Sequence, residues 1–439
     1  MSTIGTGPQM QSRLDAIIAK YQPDLKQFEE IYKDIHSHPE LGEYEERTAS
    51  IVSENLRTLG FEVTDNIGGH GVVGNFRNDD GTGRTLMLRA DMDALPIREK
   101  TGVPYASNIM FKDSEGNERP VMHACGHDMH VTSLMAVASL LVKAAKAGQW
   151  SGTLTCVFQP NEENGAGAMA MVNGGLYDHA PKPDIILAQH VDHRRNGNIA
   201  IRAGPCESAA DSFLVTVHGK GGHGSKPESC IDPVVMGCHM VVRLQSIVSR
   251  LVAPQDEVVL TCGSFHGGDA HNIIPDFVKF KINVRTYNEK VRAKVLRAIG
   301  DIIRAEAAAA GAPKEPTIER THKYPLTSND VKLTEQLRGL FISHFGESHV
   351  EEMEKLAGSE DFPNLAVLHN TPYVIWFWGA TAVEIYDKAA EEGTLDNLPQ
   401  IHSAEFCPSV RPTLEVGVRA MSLAALSYLT GELQSKSSS

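Results

Sequence analysis

The sequence predicts an α/β fold: a central mixed sheet flanked by helices, with a smaller ferredoxin-like (βαββαβ) domain inserted into the larger one. Three observations predict it. Short apolar runs, each the length of one buried strand, alternate with helical stretches early in the chain. Residues 209–320 then read as strand, helix, strand, strand, helix, strand. After about residue 321 mixed helix and strand return, closing on an apolar helix. The implied domains are 1–208, 209–320 and 321–439, the first and last forming one body.

Each element has a local reason. Residues 11–60 carry helical periodicity, with Leu25, Phe28, Ile31, Tyr32 and Ile35 on one face and a second run from Glu45 to Leu59. Thr85–Leu88, Leu154–Phe158 and Ile185–Ala188 read as buried strands, separated by helical stretches such as Val131–Ala147. In the inserted part the strands are Ser212–Val217, Glu257–Thr261, Phe277–Arg285 and Pro316–Glu319, and the helices Pro233–Val252 and Lys290–Ala310. Asp232 can cap the first helix with Pro233 in its first turn, and Gly311 can end the second. The third strand alternates, with Val278, Phe280, Ile282 and Val284 inward and Lys279, Lys281, Asn283 and Arg285 outward. The last part holds the apolar Tyr373–Trp378 run and a helix from Thr413 to Leu429, before a Ser435–Ser439 tail whose composition predicts disorder.

Composition narrows the function. The 439 residues include 41 Lys+Arg against 55 Asp+Glu, a net charge of −14, so neither nucleic acid nor an anionic membrane is expected as a partner. Hydrophobic residues at 41% and charged residues at 22% are ordinary for a globular chain that buries a core. No apolar run approaches the roughly 20 residues of a membrane span, and Met1–Met10 lacks the apolar stretch of a secretion signal, so a soluble cytoplasmic protein is expected. Seven cysteines, odd in number and irregular in spacing, argue against a disulfide framework and leave room for a thiolate with a chemical role.

Four polar clusters sit where apolar runs end. Thr85–Leu88 leads to Asp91 and Asp93, Leu154–Phe158 to Glu162 and Glu163, and Ile185–Ala188 to His190, while MHACGHDMH (122–130) precedes a helix. Ligands of open α/β sheets bind beyond the carboxyl ends of the strands, so these clusters should converge. They supply Cys125, His127, Glu163 and His190, donors suited to zinc or another first-row divalent ion. Crowded carboxylates repel one another, and bound cations reverse that sign, two ions better than one. Adjacent Glu162 and Glu163 can divide the work, one holding metal and the other a water proton, which is the arrangement for metal-assisted amide hydrolysis.

Taken singly, each feature has an ordinary reading. Cys125 with His127 can be a turn before a helix, and Glu162 with Glu163 a solvated acidic loop. His239 reads as a buried packing residue, and Cys156, Cys206, Cys230, Cys238 and Cys262 as structural. His36, His38 and Pro39–Gly42 read as a helix-end turn, with metal ligation the alternative. Gly221–His223 is a weak candidate for a nest of backbone donors.

Nine motifs then occur in order: HSHPELGEYEERTA (36–49), LRADMDALPI (88–97), MHACGHDMH (122–130), FQPNEE (158–163), QHV (189–191), GKGGHGSKPE (219–228), NIIPD (272–276), GSEDF (358–362) and IHSAEF (401–406). Over roughly residues 30–430 the chain resembles the di-metal amidohydrolase and peptidase family of aminoacylases, hippurate hydrolases, carboxypeptidase G-type enzymes and indole-acetyl-amino-acid hydrolases, in its hippurate and auxin-conjugate branch. The resemblance implies a catalytic domain with an inserted lid that also forms a homodimer. It implies two divalent ions, Zn²⁺ or Mn²⁺, held by Cys125, His127, Glu163, His190 and His402, with Cys125 shared between them. It makes Glu162 the general base and lets Asp93 orient a ligand. It assigns His223 to the oxyanion, in the site of the other subunit, and Asn272 and Arg285 to the carbonyl and carboxylate of the substrate. His402 stands out only through the resemblance.

Asn161 stands where such relatives usually carry Ala, and Gln189 where Gly is commoner; HSAEF also has a shorter acidic tail. These departures bear on substrate preference. The expected reaction is hydrolysis of the amide bond of an N-acyl amino acid, a related conjugate or a dipeptide. A cysteine hydrolase using Cys125 and a non-catalytic small-acid-binding protein of the same fold remain as alternatives.

Overall fold

The computed structural model describes residues 8–79, 83–112 and 116–433, so the Ser435–Ser439 tail lies outside the described residues. The chain divides into two compact units, one of residues 1–204, 328–354 and 362–439, the other of residues 205–327 and 355–361.

The first unit is built on an eight-stranded mixed sheet, in the order Glu62–Ile67, Gly71–Arg77, Thr153–Gln159, Thr85–Asp91, Ile185–Arg195, Tyr373–Thr381, Ile199–Ile201, Val350–Glu352. Its four central strands, Thr153–Gln159 to Tyr373–Thr381, run parallel. Their near-continuous burial explains why they read as unbroken apolar runs rather than alternating ones. The helical start resolves into Pro8–Tyr21, Leu25–Ser37 and Glu46–Leu59. Pro23 interrupts the first pair, and Asp24 caps the second helix by accepting the Lys26 N–H at 3.0 Å.

The helix His127–Lys146 is apolar on all sides, and it packs against the sheet and the helices Leu25–Ser37 and Val410–Leu429. Length and composition would let it cross a membrane, but 94% of its most apolar window is buried inside the unit. Pro233–Leu251 meets the same test with 28% buried. Burial of each large side chain in this core contributes about 1.5–3 kcal/mol.

The second unit is a four-stranded antiparallel sheet ordered Val258–His266, Phe277–Thr286, Ala209–His218, Thr317–Tyr324. The helices Pro233–Ser246 and Glu289–Ala309 cover one face, packing Met240, Leu244, Val295 and Ile299 on Val278, Phe280, Ile282 and Val284. Asp232 caps the first of these helices by accepting from Val234 N and Val235 N at 2.8 and 3.3 Å, with Pro233 in the first turn. One expectation fails: His239 is exposed rather than buried. This helix carries apolar residues around much of its circumference, with Val235 54% and Val242 74% exposed, so apolar neighbours misjudge its inner face. All seven cysteines are free.

Candidate metal centre

The carboxyl ends of the parallel strands bring the first unit's chemistry together. Thr85–Asp91 delivers Asp91 and, two residues on, Asp93; Thr153–Gln159 leads into the turn carrying Glu162 and Glu163. His190 lies inside its strand rather than beyond it, because Ile185–Arg195 continues past the apolar run. Cys125 and His127 flank Gly126, whose φ of +83° turns the chain into the helix. A Cβ there would lie 2.3 Å from Val191 Cγ2, so both conformation and space demand glycine. His402 is itself left-handed, φ +65°, and its N–H is held by Ala124 O at 2.8 Å. That conformation costs a non-glycine residue about 1 kcal/mol or more and is the kind of strain found at functional sites.

The donor atoms cluster around one sulfur. Cys125 Sγ lies 3.5 Å from His190 Nε2 and 3.3 Å from His402 Nε2. His402 Nε2 is also 3.3 Å from Glu163 Oε1, and His127 Nε2 is 4.0 Å from the same oxygen. Two triads, Cys125 with His127 and His190, and Cys125 with Glu163 and His402, each keep their ligand atoms within 4.8 Å of one another. The sulfur is common to both. Separations near 3.3–3.5 Å match the edge of a tetrahedron with bonds of about 2.0–2.3 Å. Glu162 joins His127 and Glu163 in a third close group.

Behind the donors stands a buried network that fixes their orientation. His190 Nδ1 sits 2.6 Å from Val191 O and donates to it, leaving Nε2 to face Cys125. Asp93 Oδ2 accepts the backbone N–H of Glu163 at 2.9 Å, and its Oδ1 lies 3.3 Å from His127 Nδ1. Sequence reasoning left out His130 and Arg89. His130 Nδ1 bonds Asp91 Oδ1 at 2.6 Å while its Nε2 accepts from Val191 N at 2.9 Å, and Arg89 donates to Asp91 Oδ2 at 2.8 Å and to Gln159 Oε1 at 2.9 Å. Their signal was present: an arginine inside an apolar strand and a histidine one helical turn after His127.

The residues fit a cation. His127 Nδ1 faces Asp93 Oδ1, while its Nε2 is buried without a hydrogen-bond partner, an arrangement that costs up to several kcal/mol unless something completes it. Burial opposes charging His127, but the carboxylates of Asp91, Asp93 and Glu163 outweigh it and lift the imidazole to about 10. Burial, reinforced by Glu163, Glu162 and Asp91, pushes the Cys125 thiol well above its usual range. Burial, with His130 adding to it, holds His190 neutral. The raised His127 and Cys125 have the sign expected beside carboxylates whose charge a cation would balance, and neutral is the form in which His190 would ligate one.

His36 and His38, the other sequence candidates for ligation, are absent from these groups; His36 is buried in its helix and bonded to Asp128 Oδ2 at 2.6 Å and Glu99 Oε1 at 3.1 Å, and His38 caps the helix end with its Nδ1 2.8 Å from Asp34 O. The departures from the family pattern also acquire causes. Asn161 adopts φ +53°, which asparagine tolerates better than alanine. The Gln189 side chain donates to Ser133 Oγ at 3.1 Å and Gly417 O at 3.2 Å, both on helices, so this residue packs the core rather than reading substrate.

The remaining candidates belong to the second unit. His223 is exposed on a two-residue strand paired with Ile273–Ile274, and its Nδ1 accepts from Ser225 N at 3.1 Å. Gly224 N donates to Asn272 O at 2.8 Å, which brings His223 and Asn272 to one two-stranded ribbon. The Arg285 guanidinium donates to Ala357 O and, at 3.3 Å, to Ser359 Oγ. Ser208 Oγ lies 3.0 Å from Ser359 Oγ and donates to Gly358 O at 2.9 Å. The GSEDF motif is thus tied to Arg285 through Ser359 and to Ser208 through Gly358 and Ser359.

Comparison with known proteins accords with this geometry. Peptidase family M20/M25/M40 matches residues 87–403. The chain belongs to this family. It is 33% identical to thermostable carboxypeptidase 2 of Saccharolobus solfataricus over 94% of this chain and 99% of that protein. It is 35% identical to the hippurate hydrolase of Campylobacter jejuni over 79% of this chain and 91% of that protein. A crystal structure from methicillin-resistant Staphylococcus aureus superposes with a TM-score of 0.80 at 30% identity, covering 95% of this chain and 99% of that one. Membership makes this M20 chain a hydrolase of amide bonds.

Proposed function

We propose that this M20 hydrolase cleaves the amide bond of N-acyl amino acids or related conjugates by attack of a water that Glu162 deprotonates, with two divalent cations, zinc or manganese, as its cofactors. The observation that carries it is the pair of donor triads sharing Cys125 Sγ, with Glu162 beside them. Cys125, His127, Glu163, His190 and His402 would hold the ions, whose chemistry is to acidify water and polarise the substrate carbonyl. Asp93 orients His127 from behind.

Glu162 takes the proton from the attacking water and returns it to the leaving amine. His223, from a lid of a second copy, donates to the oxyanion with Asn272 at the carbonyl, and Arg285 pairs the substrate carboxylate. The exposed valines Val235 and Val242 on one helix face, beside the edge strand Val258–His266, support self-association through the second unit into a homodimer. Seven free cysteines accord with a reducing cytoplasm. A cysteine hydrolase is disfavoured, because the surrounding acids and burial hold the Cys125 thiol protonated.

The test is Glu162→Gln assayed on hippurate and other N-acyl amino acids. It is expected to keep two equivalents of metal and lose about 10²–10⁴-fold in kcat. Unchanged turnover would remove the base, and metal-replete wild-type protein that binds these acids without turning them over would remove the enzyme.

A further inference from the structure

The motif that opens the family resemblance, HSHPELGEYEE, supplies none of the donors, yet four of its residues reach the segments that carry His127, Asp93 and the Glu162–Glu163 pair. His36 is fully buried and bridges Asp128 and Glu99, and Asp128 directly follows His127. The Glu40 carbonyl accepts the Ala94 N–H at 2.8 Å, and Leu41 pairs with Ala94, the residue after Asp93. Glu45, also fully buried, accepts the backbone N–H of Asn161 through Oε1 at 2.7 Å, and Asn161 directly precedes Glu162.

Helix capping does not explain Glu45. It occupies the N-cap position of Glu46–Leu59 but makes no side-chain cap. Glu40 takes that task instead, accepting from Arg47 N at 2.9 Å and from Thr48 N and Oγ1 at 2.8 and 2.9 Å. Glu45 is thereby released toward Asn161. The neighbouring chain is shaped for the same approach: Glu43 is left-handed at φ +77°, its Oε1 accepts from Asn161 Nδ2 at 3.4 Å, and a Cβ on Gly42 would lie 2.3 Å from Asn161 Oδ1. An acidic residue was buried where an apolar one would fill space at lower cost, and its second oxygen has no hydrogen-bond partner.

We propose that residues His36 to Glu45 form a positioning bracket for the active site, in which Glu45 sets the backbone that aims Glu162 and His36 sets the helix start that carries His127. The proposal rests on the reading of Glu162 as general base. Glu45 touches no reacting atom; it acts through one hydrogen bond to the peptide before the base. Burial and the Asp93 carboxylate push its carboxyl up to about 8, so glutamine resembles its form at neutral pH.

Three variants separate the hydrogen bond from mere bulk. Glu45→Ala removes the acceptor, Glu45→Asp keeps a carboxyl but withdraws it by one methylene, and Glu45→Gln keeps an acceptor at full reach. In the metal-loaded enzyme, Glu45→Ala and Glu45→Asp are expected to lose about 10²-fold in kcat with KM within threefold, the scale of a catalytic group displaced by about 1 Å. Glu45→Gln is expected to stay within threefold of wild type in both. Hydrogen exchange at the Asn161 amide gives a readout independent of turnover: protected in wild type and Glu45→Gln, fast in the other two. The d–d spectrum of cobalt-substituted protein should be unchanged across the Glu45 series and altered in His36→Gln. If Glu45→Ala keeps its kcat, if Glu45→Gln is as slow as Glu45→Ala, or if the Asn161 amide is indifferent to all three, the bracket is overturned. Should Glu45→Ala fail to fold, the Asp and Gln pair decides alone. Failure of the base assignment looks different, as full turnover in Glu162→Gln with the Asn161 exchange pattern intact.

Discussion

The two units treat their functional residues in opposite ways. In the first, Cys125, His127 and His190 are at most 8% exposed, with His402 alone of the five donors exposed, and hydrogen bonds from Asp91, His130, Asp93 and Val191 set their rings and loops before any substrate arrives. In the second, His223 is exposed on a strand of two residues, and the Arg285 guanidinium is satisfied by backbone and side-chain oxygens of its own unit. Fixed, desolvated donors suit charges that stay in place, since preorganisation there is retained through every turnover. Groups that greet and release a substrate must exchange partners, and an exposed two-stranded ribbon and an exchangeable guanidinium contact permit that. The difference implies that damage to the first unit can cost metal, whereas damage to the second leaves the metal intact and appears in turnover or substrate binding.

Substitutions can break that division. Glu163→Ala has the largest expected effect: at least one metal equivalent lost on dialysis and activity down by about 10³-fold or more, read by metal analysis beside a hippurate assay. Full occupancy would place Glu163 outside the donor set. His223→Ala should cost about 10²–10³-fold in kcat with both metals retained, the range for removing one oxyanion donor. Arg285→Ala should raise KM for carboxylate substrates by about 10–100-fold while leaving the matching methyl ester unaffected. A metal deficit in either of the last two would erase the contrast between the units.

Much of this was legible in the chain because local rules and tertiary demands agree. The apolar runs became central parallel strands, and the Phe277–Thr286 alternation became one buried and one open sheet face. Cys125, His127 and the Glu162–Glu163 pair announce themselves because each lies beside a strand end or a helix start. His402 does not: its approach depends on a left-handed turn bonded to Ala124, hundreds of residues away in sequence, which no periodicity encodes. His239 was misjudged because a helix apolar around most of its surface gives no reliable inward face. Gln189 was tied to substrate preference because it departs from the family pattern, but strand alternation sends it to the face opposite His190, where it bonds Ser133 and Gly417.

A smaller effect, on stability and its pH dependence, sharpens the account of the first unit. Burial disfavours a charged His36, but Asp128 and Glu99 outweigh it and raise the imidazole from 6.5 to about 9. A raised histidine contributes stability fully below its unfolded value and loses it as pH climbs through its folded one. Asp128 and Glu99 are depressed despite their burial, so their share disappears on the acid side. The melting-temperature gap between wild type and His36→Gln should therefore be widest near pH 5–6.5 and shrink through about pH 9. A gap that widens above pH 9 would show that His36 is held neutral.

The smallest effect concerns Asn161, where conformation and side-chain bonding can be separated. Its φ of +53° is strained for alanine and free for glycine, while both substitutions delete the same hydrogen bonds to Asn164 and Glu43. Subtracting one variant from the other therefore cancels the lost side chain and leaves the backbone. At ordinary positions glycine is the less stable of the two by about 0.5–1 kcal/mol. Here the order should invert, with Asn161→Gly more stable than Asn161→Ala by about 1 kcal/mol in urea unfolding. Alanine as stable as glycine would mean that the turn before Glu162 relaxes without penalty, and that the first unit is less rigid around its base than its buried hydrogen bonds imply.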